Sequence, residues 1–398
     1  MRFLQISVVL CALAATAVTA QQGNTTQPAN PPPAGGNTTQ PANPPPAGGN
    51  STAPGVSCGV QNDWSRIETQ AQLAQLVGTN CTNLLGSLLL AGPGITDLSP
   101  LAKIESVQLS IDISGTNLRT LTGLGNLRTV GENLFIHDNA QLSNVFGLNS
   151  LTTIQGGVLV YQNPQLVSIA GLATLTNINP NKSPRFAFGI SVYGNPILAA
   201  LDGLQNLKSV GNVVIISNNT RLNSLDNLPS TGPFPVQSIT IERLPVIKTL
   251  TPLSVFTSAA NGTALKVTTC DSLTSLDGIS LASVTNLTLT HNAALADVKV
   301  FGNSKISGPI VQVDDNTKLC DLSPLQTAAG GVSGAQILNT CGKPQQQTGG
   351  SSTAGGANSG GFPGGPNMPL PGSGSFRNEA RFTFVTAVVG LLGTVFAF

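Results

Sequence analysis

Charge is scarce in this chain. Only 9% of its 398 residues are charged, and 18 basic side chains against 17 acidic ones leave a formal charge of +1. Nucleic-acid binding needs a basic footprint, so no nucleic-acid partner is expected. Aromatics are scarcer still at 4%, with one tryptophan and two tyrosines. Histidine occurs only at His137 and His291. No carboxylate pair sits on one face at a useful spacing, and the glycines punctuate turns without a phosphate-binding pattern. Asp314 and Asp315 are adjacent, but they read as solvated side chains rather than a calcium site. The expectation is a non-enzyme with no catalytic residue, metal or cofactor.

Long apolar runs occur only at the two ends. Arg2, the run Phe3–Val18 and the small residues up to Ala20 make residues 1–20 a secretory signal peptide. An uncleaved anchor is the alternative, against which the run is short. At the other end Phe382–Phe398 is apolar and uncharged, preceded by the polar FRNEAR and by Gly372-Ser373-Gly374-Ser375. Small site, spacer and terminal tail form a GPI-attachment signal over 376–398, with Ser373 (or Gly372) as the attachment residue and a GPI lipid in the outer leaflet as partner. A single membrane span is the alternative, but nothing basic follows the tail. The expected localisation is the outer face of the plasma membrane or the cell wall.

Between the ends, composition divides the chain again. Residues 23–35, GNTTQPANPPPAG, recur unchanged at 36–48. Such a segment has too little apolar surface to offset the entropy of folding, so 21–57 reads as a disordered extension. Residues 342–375 return to Gly, Ser and Pro and read as a flexible spacer. Sequons for N-glycosylation stand at Asn24, Asn37, Asn50, Asn80, Asn181, Asn218, Asn261 and Asn286.

The middle is a repeat. LFIHDNAQLSNVFGLNSLTTI from Leu134, VLVYQNPQLVSIAGLATLTNI from Val158 and ISVYGNPILAALDGLQNLKSV from Ile190 share one template. Anchored on Leu142, Leu166 and Leu198, each copy has an asparagine three residues earlier (Asn139, Asn163, Asn195) and apolar residues every third position later. Anchors from Ile95 to Leu319 give about ten rungs of about 24 residues. Each rung should hold one short strand with alternate residues inward. Stacked rungs then bury a core that no single rung could bury alone. The asparagines should bond unpaired backbone groups at a turn, and Cys270 takes their place in one rung as a buried, unreactive thiol. Two histidines six rungs apart cannot share a metal when each rung adds about 4.8 Å. Residues 58–82 read as an N-terminal cap with a helix over Ser65–Leu76, closed by a Cys58–Cys81 disulfide; Cys320–Cys341 staples the C-terminal cap of an 83–341 domain. Insertions at Asn179–Arg185, Pro229–Pro235 and Thr257–Thr263 leave the rungs at one glycan-bearing edge.

The template Gly, short strand, x-N-x-x-L followed by an apolar residue every third position resembles receptor L-domains, the leucine-rich-repeat-like modules of insulin- and EGF-type receptors. With a secretory and a GPI signal, the chain is also similar to fungal GPI-anchored cell-wall proteins. The resemblance implies an all-β fold, a right-handed parallel β-solenoid with disulfide-closed caps. It also implies a role in wall organisation, or as a receptor or adhesin, with cell-wall glycan or an extracellular protein as partner.

One outward column stands out. Five residues before the anchors lie His137, Tyr161 and Tyr193, both tyrosines of the chain and one of its two histidines on adjacent rungs. Phe135 and Leu159 lie beside them, and the five together form the candidate ligand-binding patch. The competing reading is that stacked aromatics only stabilise neighbouring strands.

Overall fold

The computed structural model describes residues 56–343 apart from 79, 180–187 and 331. The expected signal peptide and GPI signal lie outside the described residues, as do the expected extension up to residue 55 and the spacer from 344. So do Asn24, Asn37, Asn50, Asn181, Gly372 and Ser373. Ser57, placed in the extension, opens the first strand. Among the described residues no helix is long and apolar enough to cross a membrane.

The chain is mostly β, built on a 17-stranded sheet. Twelve strands make its principal ladder. They are β1 (Ser57–Thr69), β2 (Asn83–Gly94), β3 (Ile111–Ser114), β4 (Leu134–His137), β5 (Val158–Tyr161), β6 (Ile190–Tyr193), β7 (Val213–Ser217), β8 (Ser238–Glu242), β9 (Thr263–Thr268), β10 (Ser283–Thr290), β11 (Val311–Asp314) and β12 (Gln336–Ile337). Each pairs in parallel with the next in chain order, so every connection brings the chain back beside the strand it left. A second ladder of two-residue strands, Ser106–Val107, Thr129–Val130, Thr153–Ile154 and Asn177–Ile178, runs alongside. The inserts Pro229–Pro235 and Thr257–Thr263 meet each other, because Phe234–Val236 pairs with Phe256–Ser258.

Burial follows the three-residue spacing. Leu142, Val145, Leu148, Leu151 and Ile154 are all fully buried, as are Leu134 and Ile136 of the strand before them. Removing each such side chain from water contributes about 1.5–3 kcal/mol. Glycine is required where neighbouring turns touch. Gly147 has φ 115°, and a Cβ there would lie 1.9 Å from the carbonyl oxygen of Leu121. Gly171, five residues after the next anchor, meets Val145 in the same way at 2.2 Å.

The strands leave the ladder through a left-handed residue. Gly115, Asp138, Gln162, Gly194, Asn218, Arg243, Thr269, His291 and Asp315 each follow a strand, with φ between 51° and 68°. Only two of these are glycine, and for the others this conformation is strained. Compensation comes from the next strand: the Asn218 N–H donates to the Glu242 carbonyl at 2.8 Å, and the Thr269 N–H to Thr290 at 3.1 Å. The turn drives the following asparagine inward. Asn163 Oδ1 accepts the Asn139 N–H at 3.1 Å, and its amide donates to the Ile136 and Tyr161 carbonyls, both at 3.0 Å. The same bond links Asn163 to Asn195 and Asn195 to Asn219. At the next position Leu244 offers no side-chain acceptor. The ladder resumes where the Cys270 N–H donates to Asn292 at 3.0 Å, and it ends on the Thr340 hydroxyl beside Cys341.

Cys58–Cys81 and Cys320–Cys341 are disulfides, and Cys270 is a buried free thiol. Burial pushes that thiol up to about 12, against a bond from the Leu244 backbone, so it stays protonated. The helix expected over Ser65–Leu76 is shorter. Ser65 and Ile67 alternate inward on β1, and α1 spans Gln70–Val77 behind a Thr69 capping box closed by Gln72. The Thr-x-x-Gln spacing was the missed signal.

Gly147→Ala should abolish cooperative unfolding near the native melting temperature. Gly125→Ala, where a Cβ meets nothing within 4 Å, should change stability by less than about 1 kcal/mol. Asn163→Leu should cost about 1–3 kcal/mol per buried group left unpaired, read by denaturant titration.

Candidate functional site

The sheet register brings together what the repeat alignment placed in one column. His137, Tyr161, Tyr193 and Ser217 are in-register partners across β4 to β7. Parallel strands lie about 4.8 Å apart, close to ring-stacking distance. His137 and Tyr161 stack with centroids 4.4 Å apart and planes 5° apart; Tyr161 and Tyr193 follow at 4.6 Å and 11°. All three side chains are half-buried. Tyr161 has both faces covered by its neighbours, and His137 and Tyr193 have one face each covered by Tyr161.

The patch needs one correction. Phe135 is half-buried on the adjacent outward row, but Leu159 is buried at 7% exposure. Leu159 is flanked on both sides by in-register neighbours, Phe135 and Ser191, and a residue held between two such neighbours is shielded even on an outward row. The same shielding buries Ser217, Thr268 and Thr290 further along. On β8 and β9 the outward rows carry Thr240, Glu242, Lys266 and Thr268, and Lys266 and Glu242 form an ion pair at 2.8 Å. Trp64 is 45% exposed on β1, where it pairs with Ser87, four residues before the Ala91–Ser114–His137 column.

Two carboxylates complete the stack. Asp112 on β3 lies 3.2 Å from His137 Nε2, and Asp138 at the left-handed corner lies 3.0 Å from Nδ1. Burial alone pushes the imidazole pKa down, but its contacts with Asp112 and Asp138 and their charges prevail, raising it from 6.5 to about 9. The ring is therefore an imidazolium at neutral pH, lying flat on Tyr161 as a cation on a π face. Burial, with the Asp138 charge behind it, pushes the Tyr193 phenol pKa upward, so it stays neutral. The sequence carried a signal for Asp112 that the repeat alignment missed. The β3 rung is one residue shorter between strand and anchor, so Ser114 rather than Ile113 pairs with His137, and Asp112 falls beside it.

Other polar clusters belong to turns. Asp97 and Asp321 have lowered pKa values because Ser99 and Ser323 hydrogen-bond to them at corners. Asp315, expected to be solvated, is buried at its corner with Oδ2 3.4 Å from His291 Nε2. Among the described residues no group of three or more His, Cys, Asp or Glu side chains could hold a metal. A shallow groove lined by Lys305, Ser307, Gly308 and Val332 has no convergent polar groups.

Residues 133–230 match the family model described as Receptor L domain. The segment contains the entire ring stack and the unbroken part of the asparagine ladder from Asn139 to Asn219. No curated protein matches the chain.

His137 has a raised folded pKa, so its contribution to stability is fully present below 6.5 and is lost as pH rises through about 9. The melting temperature should fall across that window, and the fall should be smaller in His137→Gln.

Proposed function

We propose that this chain is a non-catalytic, receptor-like glycoprotein of the cell surface, held there by a GPI anchor, which docks a protein ligand on the aromatic end of its outer sheet face. In this reading residues 83–341 wind as a right-handed parallel β-solenoid of about ten rungs, between a 58–82 cap and a C-terminal cap. The chain-order parallel ladder and the asparagine bonds between successive turns support that winding. The two disulfides support an extracellular setting, and the Receptor L domain match supports a receptor-like role. A part in wall organisation would then run through the ligand.

The observation that carries the binding reading is the His137–Tyr161–Tyr193 stack. Three rings locked against one another lose little rotamer freedom on binding, and tyrosine and tryptophan are enriched where proteins meet. Stacking on sugars needs open ring faces, and Tyr161, the middle ring, has both of its faces taken by its neighbours. That favours a protein ligand over wall glycan.

The test uses the full-length chain, released from the surface of the expressing cells by phospholipase, on a washed wall-and-membrane preparation. Retention is expected, and it should be lost after protease pretreatment of the preparation. It should also be lost in the Tyr161→Ala/Tyr193→Ala double variant, and in Gln162→Arg at the half-exposed neighbouring corner, which leaves the stack in place. Retention that survives protease but not glycanase would replace the protein ligand with glycan. Retention by both variants would remove the face from the interaction.

A further inference from the structure

The sequons are not confined to the insertion edge. Asn218 follows β7 directly, at the left-handed corner with φ 53°, and it is exposed. Its backbone is pinned on both sides. The Asn218 N–H donates to Glu242 on β8 at 2.8 Å, and the preceding Ser217 carbonyl accepts from Gly194 at 3.0 Å. Asn219, the middle residue of the sequon, is fully buried in the asparagine ladder, so Asn218 is set outward by its neighbour's role in the core. The two sides of this corner differ. On the β6 side stands Gly194, which has no side chain, directly after Tyr193. On the β8 side stands Arg243, paired with Glu242 at 3.5 Å. The open side is the side of the ring stack. The contrast with Asn286 is sharp: that asparagine is half-buried on β10, and its Oδ1 accepts the Ile310 N–H at 3.3 Å.

We propose that Asn218 carries an N-linked glycan that leans over Gly194 onto the edge of Tyr193, and so fences the ligand toward His137 and Tyr161. Adjacent strands are about 4.8 Å apart, so the first two sugars cross from the Asn218 corner to the β6 row. A branched glycan is bulky and hydrophilic. It covers the Tyr193 row and leaves the part of the face around His137 and Tyr161 as the approach. This proposal rests on the secretory, face-binding reading above and specifies which part of that face is open.

The experiment needs no ligand, so its failure is separable from failure of the binding reading. The full chain is expressed in a glycosylating eukaryotic host, released from its surface by phospholipase, and deglycosylated in the folded state in heavy-oxygen water, which marks each occupied asparagine. The mark is expected at Asn218. Hydroxyl-radical footprinting before and after deglycosylation should show Tyr193 labelling double or more, with Trp64 unchanged. Thr220→Ala, which removes the sequon and keeps Asn218 at its corner, should reproduce the deglycosylated footprint; Asn218→Gln serves as the second variant. An unmarked Asn218, or a Tyr193 footprint that does not change when the glycan is removed, overturns the proposal.

Discussion

One buried bond, repeated along the molecule, carries most of the architecture. An asparagine side chain accepts the backbone N–H of its counterpart in the preceding turn and donates to that turn's strand carbonyl, as Asn163 does with Asn139 and Ile136. Where the chain leaves a strand, its backbone groups face a dry interior, and each would cost about 1–3 kcal/mol unpaired. Asparagine offers an acceptor and a two-hydrogen donor on a short stem, which is why it recurs at this position. The exceptions mark the limits of the device. Leu244 keeps the packing and breaks the ladder. Cys270 keeps the space, and its thiol donates to the Thr268 carbonyl at 3.5 Å.

That bond depends on a strained corner. The residue before each asparagine adopts a left-handed conformation, and aspartate, arginine, threonine and histidine all occupy it. No side chain type explains this. The strain persists because the corner N–H is held by the next strand and the following side chain is held in the core. The corner position also turns its own side chain away from the interior. The molecule places Asp138 beside His137 and Asn218 beside Tyr193 through this one repeated turn.

The ring stack shows how a structural rule and a surface feature coincide. In-register parallel strands put identical positions at stacking distance, so aromatic residues in one column stack wherever they occur consecutively. Both readings of the column therefore hold for parts of it. The ring faces stabilise β4 to β6, and the ring edges remain outside. Leu159 belongs wholly to the first role. Asp112 and Asp138 hold the His137 ring between two carboxylates, which makes this end of the stack a charged cluster rather than an apolar ridge.

The repeat, its period, its buried positions and the vertical alignment of His137, Tyr161 and Tyr193 were legible in the sequence. The reason is that each turn of the chain solves the same packing problem with the same residues at the same offsets. A periodic constraint leaves a periodic record. What the sequence could not show lies between turns. The left-handed corners carry no common residue type, because the cross-strand bonds hold them. The burial of Leu159 depends on neighbours 24 and 32 residues away in sequence. The Asp112–His137 contact follows from a one-residue shortening that is present in the sequence but that a fixed-offset alignment passes over. The position of Asn218 against the ring stack depends on which side chain the adjacent corner lacks. Sequence alone set the inward pattern, because burial selects residue type. Tertiary structure decided the outward one, because on that face the next strand, and not the local chain, determines what each side chain meets.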